Sequence, residues 1–147
     1  MQSKLFALGT AFLVAGVLAG DTTSRERING EWLQAGVAKD AGESWIMESK
    51  QDTIHVTELR NGQKVAEFDC NTEGRDCPTE EDGRRAKVSF WFNGDTLVEL
   101  VTRGSEVVKR RFSVGAQGDT LEVETIPIVP EGKSAVLQFK QASAARK

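Results

Sequence analysis

From Gly30 almost to the end of the chain, apolar and polar residues alternate, and Gly, Asn and Asp interrupt them at intervals of roughly 8 to 12 residues. No segment in that stretch sustains a period of 3.6, so the pattern predicts an all-β protein. The predicted strands cover residues 30 to 35, 44 to 50, 53 to 59, 63 to 70, 86 to 92, 96 to 103, 106 to 114, 119 to 126 and 134 to 140. Asp52-Thr53-Ile54, Asp95-Thr96-Leu97 and Asp119-Thr120-Leu121 each follow a turn, where the Asp hands over to a β-branched residue suited to a pleated surface. Residues 71 to 85 read as one long charged loop in which Glu73, Arg75, Asp76, Glu80, Glu81, Asp82, Arg84 and Arg85 are solvated.

Strands this numerous in a chain of 147 residues must hide their edges, and closure does so best. The expected fold is a single antiparallel up-and-down meander closed into a small β-barrel of about 8 to 10 strands, with a flattened sandwich as its rival. A barrel of this size holds either a packed core or one small ligand.

The first twenty residues are read separately. Lys4 precedes an apolar run from Leu5 to Leu18, about 14 residues where roughly 20 are needed to span a bilayer. Val17-Leu18-Ala19 supplies small residues suited to cleavage, so 1 to 20 is expected to be a signal peptide and 21 to 147 the barrel domain. No later segment is apolar enough to form an integral membrane helix, and a periplasmic or secreted location is expected. In an oxidising compartment Cys70 and Cys77, the only two cysteines, are expected to pair as a disulfide.

Charge and composition exclude several functions. Nineteen Lys plus Arg against 22 Asp plus Glu give a net charge of -3, without the basic footprint of a nucleic-acid partner. One His, two Cys and no Tyr leave few side chains for a zinc site or for general-base work, so neither a metal nor a cofactor is expected.

The turns set the register, and the register decides which residues face inward. A two-residue turn at Asn93-Gly94 would pair Phe90 with Leu97 and Val88 with Glu99; one at Gly104-Ser105 would pair Val101 with Val108, Glu99 with Arg110 and Leu97 with Phe112. Both place Val88, Phe90, Phe92, Leu97, Val101, Val108 and Phe112 on one inner face. Lys87, Ser89, Trp91, Val98, Leu100, Lys109 and Arg111 fall on the outer one. A three-residue loop at Arg60-Asn61-Gly62 would set Ile54 against Phe68 and Val56 against Ala66, with His55 pointing outward. Leu121, Val123, Ala135, Leu137 and Phe139 continue the interior set.

Asn29-Gly30-Glu31-Trp32 resembles the Gly-x-Trp opening of the calycin families, the lipocalins and intracellular fatty-acid-binding proteins. Glu81-Asp82-Gly83-Arg84-Arg85-Ala86-Lys87, Asn93-Gly94-Asp95-Thr96-Leu97-Val98, Val108-Lys109-Arg110 and Leu121-Glu122-Val123-Glu124 are similar, in order and spacing, to the second half of a fatty-acid-binding protein. The chain also resembles small exported bacterial barrels of lipocalin-like type. The resemblance implies that Trp32 plugs one barrel end and that Arg110 stands where that family contacts a ligand carboxylate. Its second contact, an Arg-x-Tyr, falls on Leu137 and Phe139 and is absent. The family's helical lid has only residues 35 to 43 to form from, so none is expected.

These readings point to a non-catalytic exported barrel that binds or carries a small, mainly apolar ligand. Its candidate binding residues are Arg110, Glu99, Phe68, Phe90, Phe92, Leu97, Phe112 and Phe139. Arg110 with Glu99 reads either as a polar anchor in a cavity or as a structural ion pair in a closed core. The alternative function is a protein-interaction or inhibitor module that uses the 71 to 85 loop and the outer face around Trp91, over a packed interior. An enzyme is not expected, because no inward His is left for a nucleophilic triad.

Overall fold

The computed structural model describes residues 25 to 38 and 40 to 142; the signal-peptide reading lies outside them. Ten strands follow one another: β1 (Gly30–Gln34), β2 (Glu43–Lys50), β3 (Thr53–Arg60), β4 (Gln63–Asn71), β5 (Cys77–Glu81), β6 (Arg84–Asn93), β7 (Thr96–Arg103), β8 (Glu106–Val114), β9 (Thr120–Val129) and β10 (Ala135–Gln141). They form one antiparallel sheet in the order β4-β3-β2-β1-β10-β9-β8-β7-β6-β5. The pairing of β1 with β10 joins the first and last strands of the described residues, so the sheet curls into a barrel whose one unladdered seam lies between β4 and β5.

β5 corrects the sequence reading. Residues 71 to 85 are not a single loop, because Cys77–Glu81 pairs with β6 through a tight turn at Asp82-Gly83. Both turn residues have positive φ, 51° and 73°, which an Asp-Gly pair adopts readily. The rest of the segment also folds back on the barrel: Glu73 bridges to Trp91, and the Gly74 amide donates to the Phe90 carbonyl at 2.8 Å. Trp91 is half-buried in consequence.

The turn at Gly104-Ser105 gives the expected register, with Val101 opposite Val108, Glu99 opposite Arg110 and Leu97 opposite Phe112. At the preceding hairpin the centre is Gly94-Asp95 rather than Asn93-Gly94, so Phe92 pairs with Leu97, Phe90 with Glu99 and Val88 with Val101. The shift opposes Val88 to Val101 instead of Glu99, while Phe90 exchanges Leu97 for Glu99. Parity is unchanged, so the same side chains face inward. After β3 the turn is the two-residue Asn61-Gly62, not a three-residue loop, and a bulge at Glu58/Leu59 leaves Val65 as the extra residue. Ile54 therefore meets Cys70, Val56 meets Phe68, and Glu58 meets Ala66. His55 points outward as expected and bonds Asp69 at 2.8 Å.

Trp32, Trp45, Phe90, Phe112 and Phe139 fill the barrel, each at most 1% exposed, with Met47, Ile54, Val56, Val88, Leu97, Leu121 and Val123 between them. The Trp32 indole N–H donates to the Ile28 carbonyl at 2.8 Å, and Trp45 meets Phe112 edge-on at 5.1 Å. Three expected interior positions are only half-buried, Phe92, Val108 and Leu137, and Ala135 is exposed at the start of β10. On the outer face Val98 and Ser89 are buried, not solvated.

Cys70 and Cys77 are bonded, with 5.7 Å between their Cα atoms. They are the last-but-one residue of β4 and the first of β5. The disulfide therefore staples one end of the unladdered seam, and closing so short a loop stabilises by about 2.5 kcal/mol in the chain-entropy model. The other end is held by the Asp82 amide donating to the Val65 carbonyl at 3.0 Å and by Arg60 with Asp82 at 3.0 Å.

Candidate functional site

Between those two fastenings, β4 and β5 leave a cleft of about 1000 Å³. Its walls are Val65, Ala66 and Phe68 from β4 with Pro78 and Thr79 from β5 and Ala86 from β6, and Lys64, Glu67, Glu80, Arg85 and Lys87 stand on its rim. The cleft exists because each edge strand spends its ladder on one neighbour only. The bulge at Val65 and the proline at position 78 then leave little for a direct β4–β5 ladder. Phe68 connects the cleft with the interior, since it is half-buried and stacks on Phe90 at 5.9 Å between ring centres.

The eight residues expected to bind ligand separate into four settings. Phe68 lines the cleft. Phe90, Leu97, Phe112 and Phe139 are wholly buried in the packed core, and Phe92 lies beneath the Arg25 guanidinium, 4.9 Å from its ring centre. Arg110 and Glu99 form a buried ion pair in which Nη1 donates to Oε1 at 2.7 Å.

That pair belongs to a larger polar group. Glu81 lies 3.8 Å from Arg110 and 3.7 Å from Arg103, and Glu58 lies 3.7 Å from Arg60. The Glu58, Glu81 and Glu99 side chains are only 4%, 5% and 2% exposed. The Arg110 guanidinium also sits over the Trp45 ring, 5.4 Å from its centre. Burial pushes the Glu58 carboxyl up to about 7; Arg110 opposes the rise, while Glu81, Glu99 and Glu43 add to it. Burial raises Glu99 as well, against the pull of Arg110. For Arg110 burial acts in the opposite sense, but Glu99, Glu58 and Glu81 outweigh it and hold the guanidinium charged.

Glu58 and Glu81 were not expected in the interior. Glu58 shares the inward parity of Ile54 and Val56, which is a legible signal. Glu81 was expected to be solvated; it is buried because Cys77, Thr79 and Glu81 alternate inward along a strand concealed by its charge run. No group of three or more His, Cys, Asp or Glu side chains among the described residues is arranged to hold a metal. No helix among the described residues is long and apolar enough to cross a membrane.

No protein-family model and no curated protein sequence matches the chain. Among solved structures it is similar to a secretory abundant heat soluble protein from Ramazzottius varieornatus, with 14% identity and a TM-score of 0.63 over 80% of this chain and 96% of that one. Fatty-acid-binding protein 1 of Echinococcus granulosus matches at 9% identity and a TM-score of 0.61, over 80% of this chain and 98% of that one. The fatty-acid-binding protein of Manduca sexta matches at 15% identity and a TM-score of 0.55, over 67% and 72%. With ten antiparallel strands in one nearly closed meander, the chain has the fold of these β-barrels.

Proposed function

We propose that this protein is an exported, non-catalytic barrel that binds or carries a small, mainly apolar ligand, taken up at the β4–β5 seam. The observation that carries the reading is the seam cleft, a trough with apolar residues in its walls and charged side chains on its rim, stapled at both ends and reaching the Phe68–Phe90 stack. Pockets of a few hundred to about 1000 Å³ with mostly apolar walls and a few polar groups are the usual form of small-molecule sites. Barrels of similar fold named as fatty-acid-binding proteins support a ligand-binding role. The disulfide supports export, since such bonds persist in oxidising compartments. Of the remaining candidate residues Phe90 adjoins the cleft through its stack on Phe68, and Leu97, Phe112, Phe139, Glu99 and Arg110 act in this reading as part of the packed interior.

Titration of the delipidated protein with Nile red, an uncharged apolar fluorophore, tests the proposal. Saturable enhancement at one site is expected, and Val65→Trp, which fills the cleft from its half-buried rim, should weaken it by about tenfold or more, equivalent to about 1.4 kcal/mol. An unchanged far-UV spectrum shows that the variant folds. No saturable binding, or binding indifferent to Val65→Trp, overturns the reading.

A further inference from the structure

The connection between β1 and β2 is longer than an antiparallel turn requires, and it is pinned at both ends. The Ala35 amide donates to the Gln138 carbonyl at 2.8 Å, and the Gln34 side chain accepts from the Glu43 amide at 2.8 Å. Asn61 holds both backbone groups of Gly42: its amide donates to the Gly42 carbonyl at 2.8 Å, and its side-chain oxygen accepts from the Gly42 amide at 3.1 Å. Gly36, Asp40 and Gly42, with φ of 78°, 64° and 72°, bend the segment between these anchors. A connection fastened in this way is a roof, and what lies under it is the outer wall of the barrel.

Leu33, Ser44 and Leu59 are cross-strand partners on β1, β2 and β3. They face outward because Trp32, Trp45 and Glu58, their chain neighbours, are buried on the inner face. Two leucines roughly 10 Å apart at the usual strand spacing, with a serine between them, make an apolar floor with one hydroxyl at its centre. The roof leaves this floor uncovered. Val37, its largest apolar side chain, is 41% exposed, and a recess of about 460 Å³ lies between roof and wall. Glu31, Asp40 and Lys140 also line the recess, so charges of both signs stand around it, and Glu43 faces Arg60 across the strands. Such a surround favours neither an anion nor a cation. The recess shares no lining residue with the seam cleft, and the two spaces flank the β3–β4 hairpin, Leu59 and Gly62 belonging to one and Lys64 to Phe68 to the other.

We propose that this recess is a second ligand site, independent of the seam, for a compact, uncharged aliphatic molecule with one hydroxyl. Its carbon skeleton covers Leu33, Leu59 and Val37, and its hydroxyl bonds the Ser44 hydroxyl, each able to donate and to accept. A recess of a few hundred Å³ with apolar walls and few polar groups suits a ligand of that kind. Because the site lies outside the barrel wall, binding there needs no opening of the packed interior.

Titration of the isotope-labelled protein with borneol, a bicyclic aliphatic alcohol, and with bornylamine, its cationic counterpart, tests this through the backbone amide spectrum at neutral pH. Saturable shifts centred on Leu33, Ser44 and Gly42 are expected with borneol, and bornylamine should bind no more tightly. Ser44→Phe, which fills the recess from its floor, should weaken borneol by about tenfold or more, and Ala41→Trp, which fills it from the exposed roof without touching the sheet, should do the same. Ser44→Ala keeps the space but removes the hydroxyl, and should weaken borneol by about threefold or more. Val65→Trp, which blocks the seam alone, should leave borneol binding unchanged. No saturable shifts around the recess, or borneol binding indifferent to both filling variants, overturns the site. Bornylamine binding more tightly than borneol, or borneol binding unchanged in Ser44→Ala, overturns the ligand class. Nile red at the seam and borneol at the recess are read separately, so either site can fail while the other stands.

Discussion

Replacing Arg110 with leucine is expected to destabilise the barrel by about 3 to 5 kcal/mol, the range found when one partner of a buried ion pair is removed. The cost comes from what remains: Glu99 at 2% exposure loses its 2.7 Å partner, Glu81 loses a guanidinium at 3.8 Å and keeps Arg103 at 3.7 Å, and Glu58 loses the attraction of Arg110 that opposes the rise of its carboxyl. The loss of the guanidinium over Trp45 adds a smaller term. Urea unfolding at pH 7 measures it. The double replacement of Glu99 and Arg110 by leucine should recover much of the loss, because it removes the stranded charge together with its partner. A single-variant cost below about 1 kcal/mol would place this pair with solvent-screened surface bridges, against its burial.

Glu58 gives the second large effect, and its sign is opposite to that of an ordinary salt-bridged carboxylate. Its folded-state value of about 7 lies above the ordinary 4.5, so between those values the folded chain holds a proton that the unfolded chain has released. Its contribution is present in full below about pH 4.5 and is lost as pH rises to about 7. A separation of this size corresponds to a loss on the order of 3 kcal/mol. Glu58→Gln should therefore be more stable than the wild type by that order at pH 8 and similar to it at pH 4. Unfolding free energies of both proteins across that range check it. Parallel curves would show that Glu58 ionises freely and that the cluster around it is not closed to water.

The fold was legible in the sequence because barrels are specified by parity, and parity survives errors of register. Moving the turn from Asn93-Gly94 to Gly94-Asp95 changes the cross-strand partner of Phe90 from Leu97 to Glu99 yet leaves Phe90 facing inward. The bulge beside Val65 could not be read, since it follows from which residues meet across β3 and β4 rather than from any local preference. β5 was hidden for a different reason. Its five residues include Pro78 and two glutamates, which argue against a strand, and what forms it is pairing with β6 through the Asp82-Gly83 turn and the tether at Cys77.

The site was legible in part. Glu99 and Arg110 emerged from one turn, and the disulfide from the cysteine count. Phe68 emerged as inward, although its place at a seam depends on which two strands end the sheet, a property of the whole meander. Glu81 was misread because a charge run reads as solvated loop, while Glu58 was overlooked on the very parity that identified Ile54 and Val56. With both carboxylates in place, Arg110 is one cation among three buried acids rather than a free anchor.

Ligand binding at the seam is tested most directly by native mass spectrometry of the protein purified from the cells that produce it, compared under gentle and denaturing conditions. A non-covalent mass of one small molecule, retained in the first and lost in the second, is the predicted result. A bare chain under both conditions that also fails to take up Nile red contradicts the account and leaves a packed barrel that acts through its surface.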